Sequence, residues 1–169
     1  MTDLTQTSLK SVLHYNKDTG IFTRIAKTSF CVQLGEIAGG FDIKGYIRIS
    51  VFNKRYKAHR LAFLYMTGRW PKDQVDHINH IKDDNRWVNL RECSQTQNKG
   101  NTPLRKNNKS GFKGVCWHKN GGKWQAAIRV NNKRFFLGLF DNKKDAAIAY
   151  NSAAVKEFGK FACLNEIVQ

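Results

Sequence analysis

Asp76 and His77 stand side by side, Asn89 follows twelve residues after the histidine, and Asn98 nine residues after that. A neutral imidazole can take a proton from water near pH 7. The carboxylate beside it is a hard oxygen ligand for a divalent cation, and an amide oxygen is a second one. Another amide can hold the imidazole in one orientation. These are the parts needed to hydrolyse a phosphodiester with one divalent metal.

Such parts work only if short elements bring them to one point. Val75 to Ile78 is apolar-flanked and ends in polar residues, which predicts a short strand. Asp83-Asp84-Asn85 is loop chemistry, because these side chains hydrogen-bond their own backbone. Val88 to Cys93 alternates well enough for a second strand. Ser94 can cap a short helix that carries Asn98 about one turn in. Asn79 and Asn85 read as residues that structure the loop.

The segment resembles the HNH nucleases of the phage and intron-encoded branch, whose core is a ββα-metal finger. The resemblance is carried by Asp76-His77, Asn85-Arg86, Asn89-Leu90 and Asn98. Two flanks share it: His59-Arg60-Leu61-Ala62 before a short helix and Gly68-Arg69-Trp70-Pro71 after it. It covers roughly the first hundred residues. The resemblance implies that His77 deprotonates the attacking water and that Asn89 fixes its tautomer and direction. It also implies that Asp76 and Asn98 hold one metal ion. Mg²⁺ or Mn²⁺ suits a carboxylate, an amide oxygen and phosphate better than Zn²⁺ does. His59, Arg60, His80 and Arg86 are candidate contacts to DNA. His80 makes a His-x-x-His pair with His77 that could bind a transition metal on a helix. The strand-and-turn pattern favours a loop residue that touches phosphate.

Charge fits that class. The chain has 29 Lys+Arg against 13 Asp+Glu, a formal +16. Up to Asn101 there are 16 basic and 9 acidic residues, and from Thr102 onward 13 and 4, so the smaller C-terminal part is the more basic. Salt-dependent phosphate binding is the expected consequence. Cys31, Cys93, Cys116 and Cys163 are widely scattered, without the close pairs of a zinc site, and read as reduced, mostly buried thiols. No apolar run approaches a membrane span, and no signal peptide is visible, which points to the cytoplasm.

The polar, basic stretch 102–109 lacks periodicity and reads as a linker, dividing residues 1–101 from 110–169. In the first part Leu9, Val12 and Leu13 suggest a short helix. Ile47, Ile49 and Val51 alternate with Arg48 and Ser50, Asn53-Lys54 makes a turn, and Arg55 to Ala58 returns. After the linker, Gly114 to His118, Lys123 to Val130 and Lys133 to Phe140 read as three strands, with Asn131-Asn132 a tight turn. Asp141 or Asn142 then caps a helix whose stripe is Ala146, Ala147, Tyr150, Ala153, Ala154 and Phe158, ending at Gly159. Trp124 reads as core, and one of Phe135 and Phe136 should pack under the helix.

This C-terminal pattern resembles the plant ethylene-response-factor, or APETALA-type, DNA-binding domain over about the last sixty residues. The carrying residues are Ser110 to Val115, Lys123-Trp124, Ile128-Arg129, Leu137 to Phe140, Ala146-Ala147, Ala149-Tyr150, Ala153-Ala154 and Leu164-Asn165. In that family the sheet lies in the major groove. By position, Lys113, His118, Arg129, Arg134 and Phe136 match its DNA-contacting sites. Cys116 stands where the plant domains carry arginine, Phe136 where they carry tryptophan, and Ala127 where they carry an acid. The plant recognition sequence therefore does not transfer.

The expected fold is α+β: a small β-rich N-terminal part with a ββα-metal core, then a three-stranded antiparallel sheet packed on one helix. The expected activity is metal-dependent, homing-type DNA cleavage with one ion per site, targeted to double-stranded DNA by the C-terminal sheet. No membrane and no obligatory protein partner are implied. The alternative is a non-catalytic, sequence-specific DNA-binding regulator with a decayed nuclease half.

Overall fold

The computed structural model describes residues 4–167. Its first helix, α1 (Gln6–Lys10), starts at a reciprocal cap in which the Thr5 and Ser8 hydroxyls each accept the other residue's backbone N–H. β1 (Leu13–Tyr15) and β2 (Phe22–Arg24) then pair antiparallel. Asn16 shapes their turn, its Oδ1 accepting from the N–H groups of Asp18 and Thr19. Gly20 closes it at φ +75°, where a side chain would also strike the backbone of Asn85 and Arg86 at 2.5 Å. This turn thus packs directly on the loop that precedes Asn89.

β3 (Gly40–Phe41), β4 (Ile47–Val51) and β5 (Lys54–Lys57) form an antiparallel sheet. The β4–β5 turn falls one residue before the expected place. Phe52 and Asn53 both take positive φ, 47° and 62°, and Lys54 already opens β5. Two successive left-handed residues match the twist of a tight hairpin. α2 (Ala58–Thr67) follows β5 without a break and stops at Gly68. Leu61 and Leu64 of α2 pack with Leu9, Leu13, Phe22 and Ile49 in the core. Burying each such side chain is worth about 1.5–3 kcal/mol. β6 (Gln74–His77) pairs antiparallel with β7 (Leu90–Cys93), setting Asp76 opposite Arg91 and His77 opposite Leu90. The second strand is shorter than expected, because Trp87–Asn89 tighten into a 3-10 turn before it. The first compact unit ends at Cys93.

The second unit begins at Ser94, earlier than the expected linker. Ser94 and Gln97 cap α3 (Gln95–Gly100) reciprocally, as the sequence suggested for Ser94. α3 packs on the C-terminal segment. A Cβ on Gly100 would lie 2.6 Å from the Phe158 ring, so only glycine permits this approach. Thr96 donates to Asn131 Oδ1 at 2.6 Å, and Lys99 to Asn132 Oδ1 at 2.9 Å.

β8 (Val115–His118), β9 (Lys123–Val130) and β10 (Lys133–Phe140) form an antiparallel sheet in the order β10-β9-β8. Asn131 and Asn132 make the β9–β10 turn at φ 48° and 64°. A bulge lies between Phe136 and Gly138. α4 (Lys143–Phe158) is capped by Asn142 and ends at Gly159. It buries Ala146, Ala147, Tyr150, Ala154 and Phe158, the first two against Val115 and Ala126. The observed fold is α+β, with a three-stranded sheet on one helix. Two side-chain expectations fail. Cys31 and Cys116 are exposed, leaving Cys93 as the buried thiol and Cys163 half-buried. Both Phe135 and Phe136 are open to solvent, at 50% and 61%. No helix among the described residues is long and apolar enough to cross a membrane.

Candidate active site and nucleic-acid face

The last two residues of β6, Asp76 and His77, are both buried. Asp76 accepts from Arg91 across the β6–β7 ladder. The guanidinium Nε and Nη2 both reach Oδ2, at 3.0 and 2.9 Å. Sequence reasoning missed this partner, although the register that sets Arg91 opposite Asp76 follows once β6 and β7 are paired.

His77 lies among aromatic rings. His59, from the first turn of α2, stands nearly perpendicular to it at 4.9 Å between centroids, and Tyr46 lies 6.0 Å away. Its Nε2 lies 3.3 Å from Oδ1 of Asn85. Burial lowers the His77 pKa, with the Asn85 contact and the Asp76 charge opposing that shift, so the ring is neutral at physiological pH. A buried neutral imidazole is suited to accept a proton.

Asn89 does not touch that ring. Its Oδ1 accepts from the Asn79 backbone at 3.0 Å, and its Nδ2 donates to the Asp84 carbonyl at 2.8 Å. The side chain therefore braces the loop between β6 and β7. Its own carbonyl accepts from Ile78 at 2.9 Å, which fixes the backbone just after His77. Asn85, read from sequence as a loop residue, is the amide that meets the imidazole. Asn98 sits in α3, within the second unit.

The proposed phosphate contacts of the first unit divide. His59 is only 5% exposed, and its pKa is lowered to about 3, chiefly by burial and then by His77. It is a packing partner of His77 and not a surface contact, a correction whose cause is that α2 turns its first face inward. Arg60 donates to the Asp73 carbonyl at 2.9 Å and lies over Trp70. Arg86 pairs with Asp84 through Nε and Nη2, at 2.7 and 2.6 Å, which holds the Asp84 carboxyl down at about 2. His80 is exposed, at φ 65° in its turn.

In the second unit the register defines the sheet face away from α4. Arg134 stands directly opposite Arg129, and Phe136 opposite Ala127. Gln125, Ala127 and Arg129 alternate with the buried Ala126, Ile128 and Val130, so Arg129, Arg134 and Phe136 share the open face. His118, opposite Lys123, belongs to the same set, though its Nδ1 accepts from Gly121 and closes a turn. Lys113 is a correction. Its ammonium donates to the carbonyls of Gly100 and Thr102, at 2.8 and 2.5 Å, because the end of α3 leaves acceptors without helical partners. Asn165 clamps the Lys113 backbone from both sides. Trp124, expected in the core, is half-buried and meets Trp117 edge to face at 5.1 Å.

Residues 56–99 match the family model of the HNH endonucleases, a span that runs from β5 through the Asp76-His77 pair to Asn98. The chain carries an HNH endonuclease segment. An uncharacterized HNH endonuclease of Acanthamoeba polyphaga mimivirus is 30% identical over 115 residues, covering 67% of this chain and 59% of that relative. Other relatives are plant proteins. A dehydration-responsive element-binding protein of Arabidopsis thaliana is 48% identical over 56 residues, 32% of this chain and 27% of the plant protein. AP2-like ethylene-responsive transcription factors of the same plant also match, one at 45% identity over 56 residues, 32% of this chain and 10% of the relative. The chain is thus similar both to HNH endonucleases and to plant AP2/ERF-type factors, and it spans only part of each relative's length. Among solved structures, the HNH homing endonuclease I-HmuI is similar, with 27% identity, a TM-score of 0.43, and coverage of 53% of this chain and 51% of that one.

Proposed function

We propose that this HNH endonuclease hydrolyses a phosphodiester of double-stranded DNA, with His77 as general base and one divalent ion held by Asp76 and Asn98. The observation that carries the reading is the His77 imidazole, buried, kept neutral by its surroundings and set beside a carboxylate within a matched HNH segment. Geometrically, the ring is locked by packing against His59 and by Asn85, so its basic nitrogen has one direction in which to act. Asn89 contributes by holding the loop that carries Asn85.

The donor set suits a hard cation. One carboxylate and one amide oxygen are ligands that Mg²⁺ or Mn²⁺ takes together with water and phosphate. Among the described residues no cluster of three His, Cys, Asp or Glu side chains offers a softer metal a fuller cage. When bound, the ion would polarise the scissile phosphate and stabilise the 3′-oxygen leaving group. His77 would accept a proton from the attacking water, leaving 5′-phosphate and 3′-hydroxyl ends. Arg129, Arg134, His118 and Phe136 would present the open sheet face to the duplex, placing the protein on its target in the manner of a homing-type nuclease. A phage-encoded protein acting in the host cytoplasm fits this reading.

Supercoiled plasmid tests it. Nicking or linearisation should require Mg²⁺ or Mn²⁺ and stop in EDTA. His77→Ala should lose at least about 10²-fold in rate, the lower range for removing a general base, with DNA affinity nearly unchanged. Wild-type cutting by His77→Ala, or full activity in EDTA, rejects the mechanism.

A further inference from the structure

A neutral imidazole carries its hydrogen on one nitrogen, and only the other can accept a proton from water. The surroundings of His77 decide which. Nε2 faces Oδ1 of Asn85 at 3.3 Å. The Asn85 amide has one allowed orientation, because its Nδ2 donates to the Asp83 carbonyl at 3.1 Å. Turning it over would set two carbonyl oxygens against each other there and give the ring an N–H donor instead of an acceptor.

The rest of Asn85 is equally fixed. Its carbonyl accepts from the Tyr15 hydroxyl at 2.6 Å, its N–H donates to the Asp83 carbonyl at 2.9 Å, and the residue is 2% exposed. Gly20 lies against its backbone so closely that no Cβ fits between them. Asn89 holds the neighbouring Asp84 carbonyl. The loop therefore delivers one acceptor oxygen to one ring nitrogen.

We propose that Asn85 is the positioning residue for His77: its Oδ1 accepts the Nε2 hydrogen, fixing the Nε2–H tautomer and leaving Nδ1 as the nitrogen that takes the proton from water. The proposal rests on the reading of His77 as the base, and it moves the orienting role from Asn89 to Asn85. Asn89 acts one step further out, on the loop. The His59 ring stands nearly perpendicular to that of His77, at 4.9 Å between centroids.

The test uses the full chain with ¹⁵N-labelled histidine. Long-range ¹H–¹⁵N correlations of the neutral His77 ring should show the hydrogen on Nε2. Asn85→Ala should turn that signature into a tautomer mixture and reduce kcat about 10–100-fold, the range for losing a partner that orients a working imidazole. KM for plasmid should stay within about twofold, because the DNA contacts are untouched. The wild-type spectrum decides the proposal even if Asn85→Ala fails to fold. Hydrogen on Nδ1 in the wild type overturns it, as does Asn85→Ala with an unchanged tautomer and unchanged kcat. An active His77→Ala would instead remove the base assignment and leave the tautomer result standing.

Discussion

Among the described residues His59 has no hydrogen-bond partner at Nδ1, and its ring is closed in by His77 and Tyr46. Charging it inside that box is costly, which is why its pKa falls from 6.5 to about 3. Between those values the unfolded chain binds a proton that the folded chain refuses. Stability therefore falls as pH drops below 6.5 and stops falling below about 3. At pH 5 the loss from this residue is about 2 kcal/mol, from about 1.36 kcal/mol per unit over the span below 6.5. Asp84 and Glu92, both depressed to about 2 by arginine partners, lose their contribution further down, as pH falls from their ordinary carboxylate values to about 2. The window from pH 6.5 to 5 thus isolates the histidines. His59→Phe keeps the ring packing and cannot titrate, so its urea midpoint should vary less between pH 7 and 5 than the wild type's. His77, lowered for the same reason, keeps part of the slope. Equal acid sensitivity in both proteins would show that His59 is not the buried neutral group described.

At the level of elements, the sheet β8–β10 poses its own question, because Arg129 and Arg134 face each other directly across β9 and β10. Like charges in that relation destabilise a ladder by about 0.2–1 kcal/mol. On the proposed reading, a DNA backbone or a guanine edge would supply the missing charge or acceptors. Replacing both by alanine should leave the fold as stable or slightly more so, while weakening duplex binding. If they touch only phosphates, every sequence should lose affinity alike and the salt slope should shrink by about one per contact. If one reads guanine, about 1–3 kcal/mol of preference should vanish at one position. Unchanged affinity and salt slope would remove this face from the interface. Much of the sheet was legible in the sequence because its signals are local: strand alternation, the Asn131-Asn132 turn, the alanine stripe of α4. The same holds for Ser94 as the cap of α3. What was not legible depends on long-range packing. Lys113 sits at a strand entrance like a DNA contact, yet the bare carbonyls ending α3 take its ammonium. Asn85 and Asn89 look alike in the chain, and only the path of the β6–β7 loop sends one to the imidazole and the other to the backbone. His59 turns inward because α2 follows β5 without a loop.

For the molecule as a whole, the consequential fact is that α3, which carries Asn98, is held by the C-terminal segment. A six-residue helix cannot hold itself in water, since nucleation costs more than so few bonds return. Its supports are Phe158 against Gly100, the Lys113 ammonium on the carbonyls of Gly100 and Thr102, the Cys163 N–H on the Gly100 carbonyl, and Asn131 and Asn132. All of these lie beyond residue 101. The sequence reading, with its boundary after Asn101, expects residues 1–101 to cut weakly and with little site preference. The packing points further: cutting the chain there should unfold α3 and take the metal-binding role proposed for Asn98 with it. Residues 1–101 should therefore lose Mg²⁺-dependent nicking by at least about 10²-fold, even at DNA concentrations that saturate binding, a loss comparable to removing a catalytic group. In the full chain, Gly100→Ala should act in the same direction, since its Cβ meets the fixed root of the Phe158 ring and not a flexible tip. Amide exchange across residues 95–100 should be slow in the wild type and fast in both variants, which ties the loss of cutting to the helix and not to weaker DNA affinity. A fragment 1–101 that nicks plasmid at the wild-type rate would mean that α3 folds without the segment that packs on it, and that the C-terminal segment contributes at most affinity.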